Sequence, residues 1–143
     1  MKITITQLKV SKELSEDSLA FTCLVKVNGK PVFHASNHGH GEPHRHQTVD
    51  VTSATRELYE EAQKYVASLP PIESYGVTLP MNMDIFLEGL INETLERKQL
   101  AGWCRKSLVY RTPDMAEGQY AKMRAPYSPD LARAVRTRYP KAE

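Results

Sequence analysis

The chain has 143 residues, 41% hydrophobic and 25% charged, with a formal net charge of +2; that is enough for one domain with a real core and too little for two of ordinary size. It contains no run of about 18 apolar residues, which excludes a membrane-spanning helix, and "MKITITQLKV" alternates polar and apolar residues where a secretory leader would carry a solid apolar block. The expectation is a single cytoplasmic domain over residues 1–143 that makes no use of a membrane. The charge is uneven: residues 1–96 carry 8 Lys/Arg against 13 Asp/Glu, and residues 97–143 carry 11 against 4. A basic last third can meet nucleic acid, a nucleotide or an acidic protein, or pair with the acidic helices of its own chain.

In chain order, "KITITQLKV" reads as a strand through Ile3 and Ile5 and, after a slip in phase, Leu8 and Val10. "SKELSEDS" is a polar connection, and "LAFTCLVKVNGKPVFHAS" supplies two further strands around Asn28-Gly29, a pair suited to the positive φ angles of a tight hairpin turn. Next comes "FHASNHGHGEPHRHQ", which holds all five histidines of the protein, His34 to His46. "VTSATRELYEEAQKYVASLPP" has Leu58, Ala62, Tyr65, Val66 and Leu69 at helical spacing, with Thr52 or Ser53 as cap and Pro70-Pro71 as stop. "IESYGVTLP" reads as a loop, and "NMDIFLEGLINETLERKQL" as a second helix with an apolar face through Ile85, Phe86, Leu90 and Leu95. "WCRKSLVYRT" and "GQYAKMRA" form a hairpin around "PDMAEG", and "SPDLARAVRTRYP" a short helix capped by Ser128 with Pro129 in its first turn. The order predicts an α+β fold: an antiparallel meander packed by two amphipathic helices, then a second hairpin and a short C-terminal helix.

The hairpin, the Asn-x-Gly-x-Gly loop "NHGHG", the acidic second helix, the "CRKSLVY" strand and the closing "YSPDLARAVRTRYP" together resemble a family of small phage and prophage proteins. The similarity spans most of the chain. It implies a phage accessory protein acting in the bacterial host cytoplasm, of the size in which inhibitors of host defence occur. "EPHRH" departs from that pattern, which has a second glycine followed by polar or aromatic residues.

Four readings compete for the histidine segment. His38/His40 or His44/His46, at i and i+2 of an extended stretch, could chelate zinc, although the spacings of known catalytic zinc sites are missing. A histidine pair could act as general base and acid, as in a small histidine- or metal-dependent phosphodiesterase acting on nucleic acid or a cyclic nucleotide signal. Asn37, Gly39 and Gly41 could bend the backbone into an anion cradle, with His38, His40, His44, Arg45 and His46 donating to phosphate oxygens. The same residues also make plain surface turns. The leading expectation is a non-enzymatic binding protein without a catalytic residue or a required cofactor. It inhibits a bacterial defence system by sequestering a phosphorylated or nucleotide ligand or by blocking a protein or nucleic-acid component, with Asn37 to Gly41, His44, Arg45 and His46 as ligand contacts.

Other features fit structural roles. Cys23 and Cys104, each in an apolar segment, are expected to be buried free thiols, and Trp103 a core anchor. Glu57, Glu60 and Glu61, and Glu88, Glu93 and Glu96, are expected on solvated helix faces. Tyr110, Tyr120, Tyr127 and Tyr139 lie among Arg111, Arg124, Arg136 and Arg138, a pattern that suits either nucleic-acid contact through the basic third or edge-strand packing. Self-association is left open.

Overall fold

Asn28 and Gly29 both take left-handed backbone angles, φ 50° and 81°, and this closes a two-residue turn with the right-handed twist that strands need. In the computed structural model, which describes residues 1–143, that turn joins the second and third strands of a meander. β1 (Ile3–Ser11), β2 (Ala20–Val27), β3 (Lys30–Asn37) and β4 (Arg45–Thr48) lie antiparallel in sequence order. The slip in phase read from the sequence is a β-bulge between Thr6 and Lys9, with Gln7 at φ 55°. Phe21, Cys23, Val25, Val27, Phe33 and Ala35 are buried, whereas His34 alternates onto the exposed side of β3.

α1 (Ser53–Ala67) starts where Thr52 accepts a bond from the Thr55 amide, and it packs on β3 and β4 through a face that buries Ala62 and Val66. The segment expected to be a loop is a hairpin, β5 (Ile72–Ser74) and β6 (Val77–Leu79). Its turn, Tyr75-Gly76, has φ 50° and 75°, so a tyrosine does here what asparagine usually does.

α2 (Met83–Cys104) buries Met83, Leu87 and Ile91, not the Ile85, Phe86, Leu90 and Leu95 face expected from the sequence; those four are half-buried. The buried set follows i, i+4, i+8, one stripe of the helix, and it begins two residues before the first predicted position.

The chain forms two compact units, residues 1–91 and 92–143. The second contains the end of α2, the hairpin β7 (Leu108–Tyr110) and β8 (Ala121–Met123), and α3 (Pro129–Arg138), capped by Ser128 with Pro129 in its first turn. Leu108 and Val135 are its buried apolar residues, and Arg111 and Glu143 exchange backbone hydrogen bonds of 3.1 and 3.0 Å. Trp103 is half-buried on α2, 6.5 Å from the Tyr120 ring and with the Lys122 ammonium 4.7 Å from its centre. Cys104 is exposed because α2 runs on past the expected start of the strand; Cys23 is buried, and burial pushes its thiol up to about 11. Three helices with antiparallel hairpins make this an α+β protein, and no helix is long and apolar enough to cross a membrane.

Leu87 is fully buried, so Leu87→Ala is expected to cost about 2–5 kcal/mol by urea denaturation.

Candidate functional site

The histidine segment divides into a loop over residues 38–44 and the strand β4, in place of the continuous loop expected to lead into the helix. The strand forms because Arg45 to Thr48 pair with Ser36 to Phe33 of β3. Alternation then turns His46 inward while Arg45 and Gln47 stay exposed.

Asn37, only 4% exposed, organises the loop. Its Oδ1 accepts from the Ser18 hydroxyl at 3.0 Å and from the Gly39 amide at 2.7 Å, while its Nδ2 donates to the Glu42 carbonyl at 2.7 Å and reaches His44 Nδ1 at 3.1 Å. The Gly39 carbonyl accepts from the amides of Glu16, Asp17 and Ser18, and the Ser18 hydroxyl accepts from the Gly41 amide at 3.0 Å. The loop is thereby tied to the β1–β2 connection. The Gly39 and Gly41 amides, the donors that a phosphate cradle would use, are both engaged inside the protein.

The Asn37 bonds also fix a proton. Since Nδ2 is the donor, His44 Nδ1 must accept, and the proton of neutral His44 sits on Nε2. That atom lies 3.7 Å from Glu88 Oε1, and the His44 amide donates to Asp84 Oδ2 at 3.1 Å. His46 is placed similarly: Nδ1 is 2.9 Å from the Tyr59 hydroxyl, which accepts from Gln63 Nε2 at 2.7 Å, and Nε2 is 3.3 Å from Asp84 Oδ1. The two imidazoles are 6% and 12% exposed, and both Nε2 atoms are buried within ion-pair reach of a carboxylate but outside hydrogen-bond geometry. Aromatic rings hold them: Phe21 meets His44 edge-on at 4.9 Å, and Phe33 lies 4.9 Å from His46 and 5.0 Å from Tyr59.

The eight candidate residues therefore fall into groups. His44 and His46 come together against α1 and α2. Asn37, Gly39 and Gly41 shape the backbone. His38 and His40 are exposed, with His40 3.3 Å from Glu16, and exposed Arg45 reaches Glu42 at 3.7 Å. Sequence reasoning missed Gln63, Asp84 and the roles of Tyr59 and Glu88. One signal was available: Tyr59/Gln63 and Asp84/Glu88 are each i, i+4 pairs on one helix face. Glu88, expected on a solvated face, is exposed and at the same time lies beside His44.

No group of three or more His, Cys, Asp or Glu side chains converges in metal-binding geometry. An Nε2–H carries no lone pair for zinc, so an ion on His44 Nε2 would require turning the Asn37 amide over, against the Gly39 amide and the Glu42 carbonyl. Burial pushes the His46 imidazole below its ordinary value, with the Asp84 carboxylate opposing and His44 adding to the depression.

A depressed histidine stabilises the fold above its unfolded value and loses that contribution as pH falls through the folded one. The unfolding free energy is therefore expected to fall on acidification below pH 6.5, the unperturbed value, by no more than about 1.4 kcal/mol per pH unit. His46→Gln should flatten that profile in a thermal-shift series. Gly39 has φ +88°, and a Cβ there would lie 2.1 Å from the Leu14 carbonyl oxygen; Gly39→Ala is expected to cost about 2 kcal/mol or more. Gly41→Ala, whose Cβ would meet only Asp17 Cβ at 3.6 Å, should cost about 1 kcal/mol, and urea midpoints compare the two. No family model, curated protein or solved structure matches this chain.

Proposed function

We propose that the protein is a phage-type accessory binding protein that captures a phosphorylated small molecule, such as the nucleotide signal of a bacterial defence system, beside the histidine loop. The observation that carries this reading is a groove of about 220 Å³ alongside the ordered loop, where Lys9 and His38 line the wall with Val10, Leu14, Phe21 and Thr22. Lys9, a hydroxyl and an imidazole suit phosphate oxygens, and the apolar residues suit a base or sugar. A loop whose backbone is already bonded needs little ordering when a ligand arrives, so less of the contact energy is lost on binding. With its amides engaged, the loop contributes side chains to the ligand, not a backbone cradle.

A second reading, a histidine-dependent phosphodiesterase, draws on the placement of His44 and His46 opposite Asp84 and Glu88. A base and an acid backed by carboxylates is the minimum such chemistry needs. Burial of both Nε2 atoms favours the binding reading, since a substrate must reach the group that moves its proton.

The protein is incubated with cyclic nucleotides and ADP-ribose-type signals and then denatured, and the supernatant is assayed. Intact ligand recovered from wild type, with affinity reduced about tenfold or more in Lys9→Ala and His38→Ala, is the expected result for two charge-assisted contacts. Altered ligand whose formation stops in His44→Gln overturns sequestration in favour of catalysis. Neither binding nor turnover across the panel overturns both readings.

A further inference from the structure

The second unit, residues 92–143, carries 11 Lys/Arg against 6 Asp/Glu. Its ion pairs use few of those cations: Arg97 with Glu93 and Arg133 with Asp130. Arg136, Arg138 and Lys141 are exposed and pair with no carboxylate. They line a series of three recesses that share walls. The first, of about 140 Å³, has Tyr110, Tyr127, Val135 and Arg136 in its lining; the second, of about 200 Å³, has Tyr110, Val135, Arg138 and Tyr139; the third, an open cleft of about 430 Å³, has Arg138, Tyr139, Lys141 and two prolines.

The aromatic residues are arranged in a particular way. Tyr110 and Tyr139 stack with ring centres 5.7 Å apart and planes 25° apart, and the Arg138 guanidinium lies 5.6 Å from the Tyr139 centre. Tyr127 is 64% exposed. Asp114, a carboxylate in the third recess, is engaged by the Thr112 hydroxyl, which holds it below the usual carboxylate range; Glu143, in the first, uses its backbone to pair with Arg111.

From this arrangement we infer that the second unit binds single-stranded nucleic acid without sequence preference, with the exposed Tyr127 as stacking platform and Arg136, Arg138 and Lys141 as phosphate contacts. Aromatic faces beside unpaired cations match a polymer that alternates planar bases and phosphates. The first two recesses are smaller than the roughly 300 Å³ of a site for a drug-sized ligand, so each suits one planar group. Bases in a duplex are already stacked on one another and cannot use such platforms, so the strand must be single. An acidic peptide would satisfy the cations and leave the exposed Tyr127 ring idle. This surface lies wholly within one unit and does not depend on the groove beside the histidine loop.

Fluorescence anisotropy of the full chain with a labelled oligothymidylate of about 12 nucleotides, within the usual footprint of such sites, tests the inference. Binding at low salt is expected, with log K falling against log salt by about 0.7 per phosphate neutralised. The exposed double substitution Arg138→Gln/Lys141→Gln should lower that slope by about 1.4, and Tyr127→Ala should weaken binding about tenfold, with circular dichroism establishing that each variant is folded. Absence of binding at low salt, a slope unchanged in the double variant, equal affinity for a duplex of the same length, or equal competition by polyglutamate would each overturn it.

Discussion

Asn37 uses its whole hydrogen-bonding capacity inside the protein, and the site depends on that. One amide, with two acceptor and two donor bonds, turns the chain out of β3, holds Gly39 in its left-handed conformation against the β1–β2 connection, and decides which nitrogen of His44 carries the proton. A buried amide left with a missing partner costs the desolvation of that group, so the four bonds stand or fall together. Local loop geometry and histidine chemistry are thus set by the same atoms, and neither can be altered alone.

The strands and helices with simple signals were legible. The Asn28-Gly29 turn, the break in phase after Ile5 and the Thr52 and Ser128 caps each express a local preference that the folded chain leaves in place. Illegible were the elements decided by tertiary partners. β4 is wholly polar, with no strand pattern of its own, and it extends because β3 offers a ladder to Arg45–Thr48. Tyr75-Gly76 closes a hairpin although tyrosine is a poor left-handed residue. The buried stripe of α2 could not be fixed from periodicity alone, because Ile85, Phe86, Leu90 and Leu95 compete with Met83, Leu87 and Ile91 for the same helix.

The candidate site was half visible for a related reason. Clustering marked the histidines, but their partners come from two helices, the adjacent α1 and the more distant α2, and a sequence does not show which side of a helix will meet a strand. Once β4 is a strand, alternation separates His46 from Arg45, and the run resolves into a sheltered pair held by rings and carboxylates, with His38 and His40 on the surface of the loop. The charge contrast between the two ends of the chain was legible from the start. What the three-dimensional arrangement adds is that the cations of the basic end stand beside tyrosine rings, with few carboxylates to neutralise them.

The bulge at Gln7 bears on the life of the free protein in a crowded solution. β1 is an outer strand of the meander, nine residues long, and a flat outer strand of that length offers its unpaired amides and carbonyls to any other chain that can add a strand. Left-handed Gln7 interrupts the ladder midway and sharpens the local twist, while Lys9 follows at once as an exposed charge. These are the devices by which sheet proteins discourage edge-to-edge association. At the opposite margin β4 is only four residues long, too short to template a growing sheet.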